Sequence, residues 1–229
     1  MIRALYTAAS GLVAQANRQD VIANNIANAQ TPGFKREKVV SSSFAKELQS
    51  QMITAVERER PSYPDSPVDP VIVSAASATD NSQGPIRDTG NSFDFAIDGP
   101  GSFEVSASSG TNLTRAGNFR LDAAGELCTA DGAKVLGENG TIKIPNGNMS
   151  VAADGEVSVD GTSVGKIKIV GAQAGQTKIM QGCIEGANVN IVREMVDMIT
   201  NVRSFEANQK VITAVDGTLD KLINSAGNV

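Results

Sequence analysis

The chain has 229 residues, 41% of them hydrophobic, enough for one large or two small domains with a substantial core. It contains no His and no Trp, only two Tyr, and a formal charge of -5. The commonest general base and metal ligand are therefore missing, aromatic-lined pockets are scarce, and nucleic acid is a poor candidate partner.

The opening residues, MIRALYTAASGLVAQANRQDVIANNIAN, break their apolar positions with polar ones, so neither a Sec-type signal nor a membrane span is expected there, and no span elsewhere. From about Arg3 to Asn28, Leu5, Ala8, Leu12, Gln15, Gln19, Ile22 and Ile26 recur at alternating spacings of three and four. That spacing predicts a helix with a narrow, coiled-coil-like seam. Thr31-Pro32-Gly33 predicts a type II turn that stops the helix, with Phe34 as an apolar anchor after it. From Lys35 to Arg60 the charges are mixed, and Phe44, Leu48, Met52 and Val56 suggest a short helix. Pro61 to Pro70, PSYPDSPVDP, reads as an extended linker.

From about Asn91 to Gln181 the period changes to two. Phe93, Phe95 and Ile97 are followed by Phe103 and Val105, Phe119 and Leu121, Ile142 and Ile144, Met149 and Val151, Val157 and Val159, and Ile167 and Ile169. Turn pairs at Asp98-Gly99, Asp131-Gly132, Asn139-Gly140, Asn146-Gly147, Asp154-Gly155 and Asp160-Gly161 separate them. This predicts an antiparallel β domain of many short strands. Cys128 and Cys183 fall within it, too few for a disulfide framework or a thiolate metal site, and read as unpaired buried side chains.

Beyond it, Ile191, Met195, Met198, Val202, Phe205, Gln209, Ile212, Asp216, Leu219 and Ile223 keep the spacing of three and four for more than four heptads. The two helices would run roughly 35 Å and roughly 50 Å, too long to be covered by each other alone. Gln15, Gln19, Gln209 and Asp216 on the seams favour helix-to-helix contacts in which polar residues set register. The expected fold is therefore α+β: long terminal helices packing as a coiled-coil-like layer, with an inserted antiparallel β domain. Residues 1–34 and 187–229 form the helical domain, 35–74 an extended region with a short helix, and 75–186 the β domain.

No constellation in the chain forms a convincing active site. Gly99-Pro100-Gly101 and the run from Gly171 to Gly175 lack phosphate-loop spacing and read as turns. Asp94, Asp98, Glu104, Asp122, Glu126, Asp131, Asp154 and Glu156 include enough acids for a glycosidase-like pair, but most adjoin Gly or alternate outward and read as solvated turn residues. Arg115-Ala116-Gly117-Asn118-Phe119 reads as a β bend whose Arg and Asn satisfy backbone carbonyls. No catalytic residue, cofactor or metal ligand is expected.

Three blocks in order carry a family likeness. Ser10-Gly11-Leu12, Ile22-Ala23-Asn24-Asn25-Ile26-Ala27-Asn28 and Thr31-Pro32-Gly33-Phe34-Lys35 resemble the N-terminal signature of flagellar rod and hook proteins. Ala96-Ile97-Asp98-Gly99, Thr114 to Phe119 and Thr129-Ala130-Asp131-Gly132 are similar to the family's β domain, and Glu185 to Ala207 to its C-terminal helix. Ser102 and Ile191-Val192-Arg193 depart from the usual pattern. The start from Leu5 to Gly11 and the short chain most resemble proximal-rod members, with distal-rod or hook-type members as rivals.

The resemblance implies a structural subunit of the basal-body rod, crossing the periplasm, exported by the flagellar type III apparatus. Its partners would be other copies of itself and paralogous rod proteins, with no nucleic acid and no membrane insertion. The implied assembly interface is Leu5, Leu12, Ile22 and Ile26 on the first helix with Ile191, Met195, Met198, Val202, Phe205, Ile212 and Leu219 on the last. Two other classes compete: a carboxylate-dependent hydrolase of cell-wall glycan, which needs convergent acids in a cleft, and a secreted β-rich adhesin, which needs no terminal heptads.

Overall fold

The computed structural model describes residues 2–43, 72–107, 110–145, 147–173 and 175–226. The short helix expected around Phe44 to Val56 and the linker from Pro61 to Pro70 lie outside these residues. The chain is mixed α+β and falls into two units, one of residues 1–26, 37–80 and 190–229 and one of residues 27–36 and 81–189.

The first unit holds both helices, α1 (Ile2–Ala27, 26 residues) and α2 (Ile191–Ala226, 36 residues). It also holds an antiparallel pair, β1 (Glu37–Ser43) with β2 (Ile72–Thr79), in register from Glu37 opposite Thr79 to Ser42 opposite Ser74. The sequence reading spread these two segments over the linker and the edge of the β domain. Their Ser, Ala and Val composition shows no apolar alternation, so the pairing leaves no period-two trace.

The second unit carries fourteen short strands, all paired antiparallel. A seven-stranded sheet is built from β5 (Ser102–Ala107), β6 (Gly110–Thr114), β7 (Arg120–Leu121), β8 (Leu127–Cys128), β9 (Lys134–Gly137), β10 (Gly140–Thr141) and β14 (Ile169–Val170). A three-stranded meander joins β11 (Met149–Val151), β12 (Glu156–Val159) and β13 (Thr162–Lys166). Two further pairs set β15 (Lys178–Gln181) on β4 (Phe95–Asp98) and β16 (Cys183–Glu185) on β3 (Ile86–Asp88).

The core lies where the alternation predicts. Phe95, Ile97, Phe103, Val105, Phe119, Ile142, Ile144, Val151, Val157, Val159 and Ile167 form one buried cluster, joined by Leu127, Val135 and Ile179. Phe119 stands edge-on to Phe103 at 5.2 Å between ring centres, a favoured aromatic geometry. Leu121 departs from the expectation and is exposed, because its two-residue strand sits at the sheet edge. Cys128 and Cys183 are free and buried.

The turns follow the Gly placements. Asp160 and Gly161 both have positive φ, 48° and 81°, as a two-residue hairpin between β12 and β13 requires. Gly33 has φ 70°, and the Phe34 N–H donates to the Thr31 carbonyl at 3.3 Å, closing the type II turn after α1.

Candidate assembly site

Helix α2 is well specified at its start. Asn190 accepts the Arg193 N–H on its Oδ1 at 3.1 Å and the Glu194 N–H on its carbonyl at 3.0 Å, and Glu194 puts a carboxylate in the first turn.

Within the first unit α1 and α2 meet through polar side chains. Asn201, 5% exposed, donates from Nδ2 to the Gln15 carbonyl at 2.8 Å and to Gln19 Oε1 at 2.8 Å. Asn25, 1% exposed, donates to Glu194 Oε2 at 3.4 Å and clasps β1 by donating to the Glu37 carbonyl and accepting the Glu37 N–H, at 2.8 and 2.9 Å. Asn208 sits against Gly11, where an added Cβ would lie 3.2 Å from its Nδ2. Glu194, Asn201 and Asn208 are one heptad apart and run down α2 as Asn25, the Gln15/Gln19 pair and Gly11 run back along α1. The helices are therefore antiparallel in this unit. Gln15 Oε1 and Asn201 Oδ1 are buried without a hydrogen-bond partner among the described residues.

The opposite face of α2 is apolar and open. Val192, Met195, Val196 and Ile199 follow one another at helical spacing and are 73%, 49%, 56% and 55% exposed, with Val202 and Val211 also exposed. This stripe lies roughly half a helical turn from Glu194 and Asn201. The first turns of α2 thus hold Glu194 and Asn201 inward and carry an apolar stripe outward.

The residues named from periodicity sort between these faces. Ile22 is buried; Leu12, Ile26, Ile191, Met198, Phe205 and Ile212 are half-buried; Met195 and Val202 are exposed. The side chains of Leu5 and Leu219 lie outside the described set. The sequence seam of α2 therefore starts on the flank at Met195 and Val202 and reaches the inward face at Phe205 and Ile212, beside Asn201 and Asn208. Val192, Val196 and Ile199 were missed because a heptad count follows one stripe and they occupy the next.

In the second unit the acids are structural. Glu185 has no exposed surface and takes Lys35 Nζ on Oε1 at 2.5 Å, Arg115 on Oε2 at 2.9 Å and the Gly84 N–H at 2.9 Å. Its carbonyl accepts the Gly33 N–H at 2.8 Å, so the turn after α1 is tied to β16 twice. Arg115 also donates to the Gly99 carbonyl at 2.8 Å, as the β-bend reading expects, though Glu185 was not foreseen. Asp94 accepts from Thr89 and Asn91, and Glu104 pairs with Lys168. Glu126 is held by Lys134 and Thr141, and Glu156 accepts from Ser163. Asp122 and Asp154 accept backbone N–H groups, and Asp98 and Asp131 are exposed beside glycines.

A surface cleft of about 620 Å³ is lined by Phe34, Lys35, Leu113, Arg115 and Val170 among others, with no carboxylate in its wall. The glycan-hydrolase reading finds no support here. Among the described residues no His, Cys, Asp and Glu cluster fits a metal ion, and no helix is long and apolar enough to cross a membrane.

Three family models match in chain order. They are "Flagella basal body rod protein" over residues 5–35, "Flagellar hook protein FlgE/F/G D1 domain" over 96–159 and "Flagellar basal body rod FlgEFG protein C-terminal" over 180–225. Lys35, Arg115 and Glu185 each come from a different one. The chain is 32% identical to the flagellar basal-body rod protein FlgG of Bacillus subtilis (strain 168), over 98% of this chain and 99% of that protein. It is 30% identical to FlgF of Salmonella typhimurium and 31% identical to FlgF of Escherichia coli (strain K12), each over 94% of this chain and 95% of the relative.

Proposed function

The chain belongs to the flagellar basal-body rod proteins of the FlgF and FlgG type and is a structural subunit of the rod, and from that premise we propose that its terminal helices are the assembling element. The observation that carries this reading is the outward stripe of α2. An exposed row of Val192, Met195, Val196 and Ile199 has no cover among the described residues, and a contiguous apolar stripe of this kind is a contact surface. Copies of the chain and paralogous rod proteins supply the cover, packing the helices into a coiled-coil-like layer. The half-buried seam of Met198, Phe205 and Ile212 adjoins that contact, with Leu12 and Ile26 on the α1 side. No catalytic role is proposed, and the subunit reaches the basal body through the flagellar type III apparatus.

The test is a charge in the stripe. Ile199→Asp places an unpaired carboxylate in a dry contact at a cost of several kcal/mol, repeated in every copy. The variant should be made and stay soluble, yet fail to restore rods and motility to a strain lacking the gene. Asp154→Asn should restore both, since Asn serves the same turn. Wild-type rods from Ile199→Asp would refute the proposal. Within the family, the N-terminal block favours the proximal rod. Complementation of strains lacking either paralogue separates proximal from distal.

A further inference from the structure

We propose that Asn188 is a fastener whose one side-chain amide gathers, at a single point of the second unit, three of the four places where the chain leaves that unit. The crossings at 36/37, 80/81 and 189/190 lie within or at the edge of three stretches that belong to no strand or helix, 34–36, 80–85 and 186–190. Backbone groups in such stretches have no ladder to bond in and must find side-chain partners or water.

Asn188 supplies two of these stretches from the third. Its Oδ1 accepts the Arg36 N–H at 2.6 Å, and its Nδ2 donates to the Ser82 carbonyl and to Ser82 Oγ, each at 3.0 Å. A primary amide presents an acceptor and donors on one short side chain, and here each is directed to a different stretch. A loop Asn that shapes a turn bonds to backbone within a few residues of itself. The partners of Asn188 lie 152 and 106 residues away, so turn formation does not account for them. Lys35 adds a second tie by donating to the same Ser82 carbonyl at 2.8 Å. All of these atoms belong to the second unit. Arg36, Ser82 and Asn188 each stand within two residues of a crossing, and three chains therefore leave from one hydrogen-bonded spot instead of as independent loops. Glu185 holds Lys35 and the Gly33 and Gly84 N–H groups by its own contacts, so loss of the Asn188 amide should free the junction without opening the core.

The inference stands on the second unit alone and does not depend on how the helices assemble. Its test is residue-resolved amide exchange on the full-length subunit. Asn188→Ala should speed exchange of the Arg36 amide roughly tenfold, while Phe95, Phe103 and Val135 stay within about twofold of wild type. Asn188→Asp keeps an acceptor for Arg36 but loses both donors to Ser82, so it should leave the Arg36 amide slow. It should still loosen the Ser82 stretch, read by a nitroxide on Asn81→Cys in a chain with Cys128→Ala and Cys183→Ala. Arg36 exchange unchanged in Asn188→Ala overturns the proposal. So does an equal rise at Phe95 and Val135, which would make Asn188 a stability residue of the whole unit, and so does a nitroxide whose mobility neither substitution alters.

Discussion

Glu185 joins three separate stretches of the chain through Lys35, Arg115 and the Gly84 N–H, all away from water. Glu185→Ala should lower the stability of the second unit by about 3–5 kcal/mol, because it strands two cations that are only 11% exposed. Urea denaturation monitored by tyrosine-independent far-ultraviolet signal measures the loss, and a change under about 1 kcal/mol would show that the pair is dispensable. A second acid gives a pH signature. The Lys134 hydrogen bond holds the Glu126 carboxyl below its ordinary value of 4.5, and a backbone N–H of Glu126 lowers Asp122 in the same way. Depressed carboxylates contribute stability that is present above the unfolded value and lost as pH falls through the folded one. The urea midpoint should therefore drop below about pH 4.5, and less steeply in Glu126→Gln. None of this was legible in the sequence, since Glu185 lies 150 residues from Lys35 and 70 from Arg115. A salt bridge over such separations leaves no local pattern to read.

At the scale of elements, burial separates two isoleucines that look alike in sequence. Ile22, 5% exposed, should cost about 2–5 kcal/mol of first-unit stability when changed to Ala. Ile199, 55% exposed, should cost the isolated subunit under about 0.5 kcal/mol even as Asp. Equal losses in a helix-reporting melt would contradict the outward placement of the α2 stripe. The helices and the strand core were legible because each repeats its period over many residues, and Thr31-Pro32-Gly33 marks the stop of α1 by backbone chemistry alone. Asn201 was not, because a lone Asn off an apolar heptad reads as a solvated position. The polar residues expected on the α2 seam were Gln209 and Asp216, and both are exposed. The β1–β2 pair escaped for want of alternation.

For the whole molecule, the two units should differ in resistance to opening. The second has a continuous core of aromatic and β-branched side chains, whereas the first joins its helices through amides and leaves an apolar stripe in water. Amide exchange on the dilute subunit should be slow at Phe95, Phe103 and Val135 and faster through α1 and α2, and uniform protection would contradict this. The chain also passes from one unit to the other at 26/27, 36/37, 80/81 and 189/190. Four covalent crossings therefore join the two units. Severing any one of them leaves the two units joined by three.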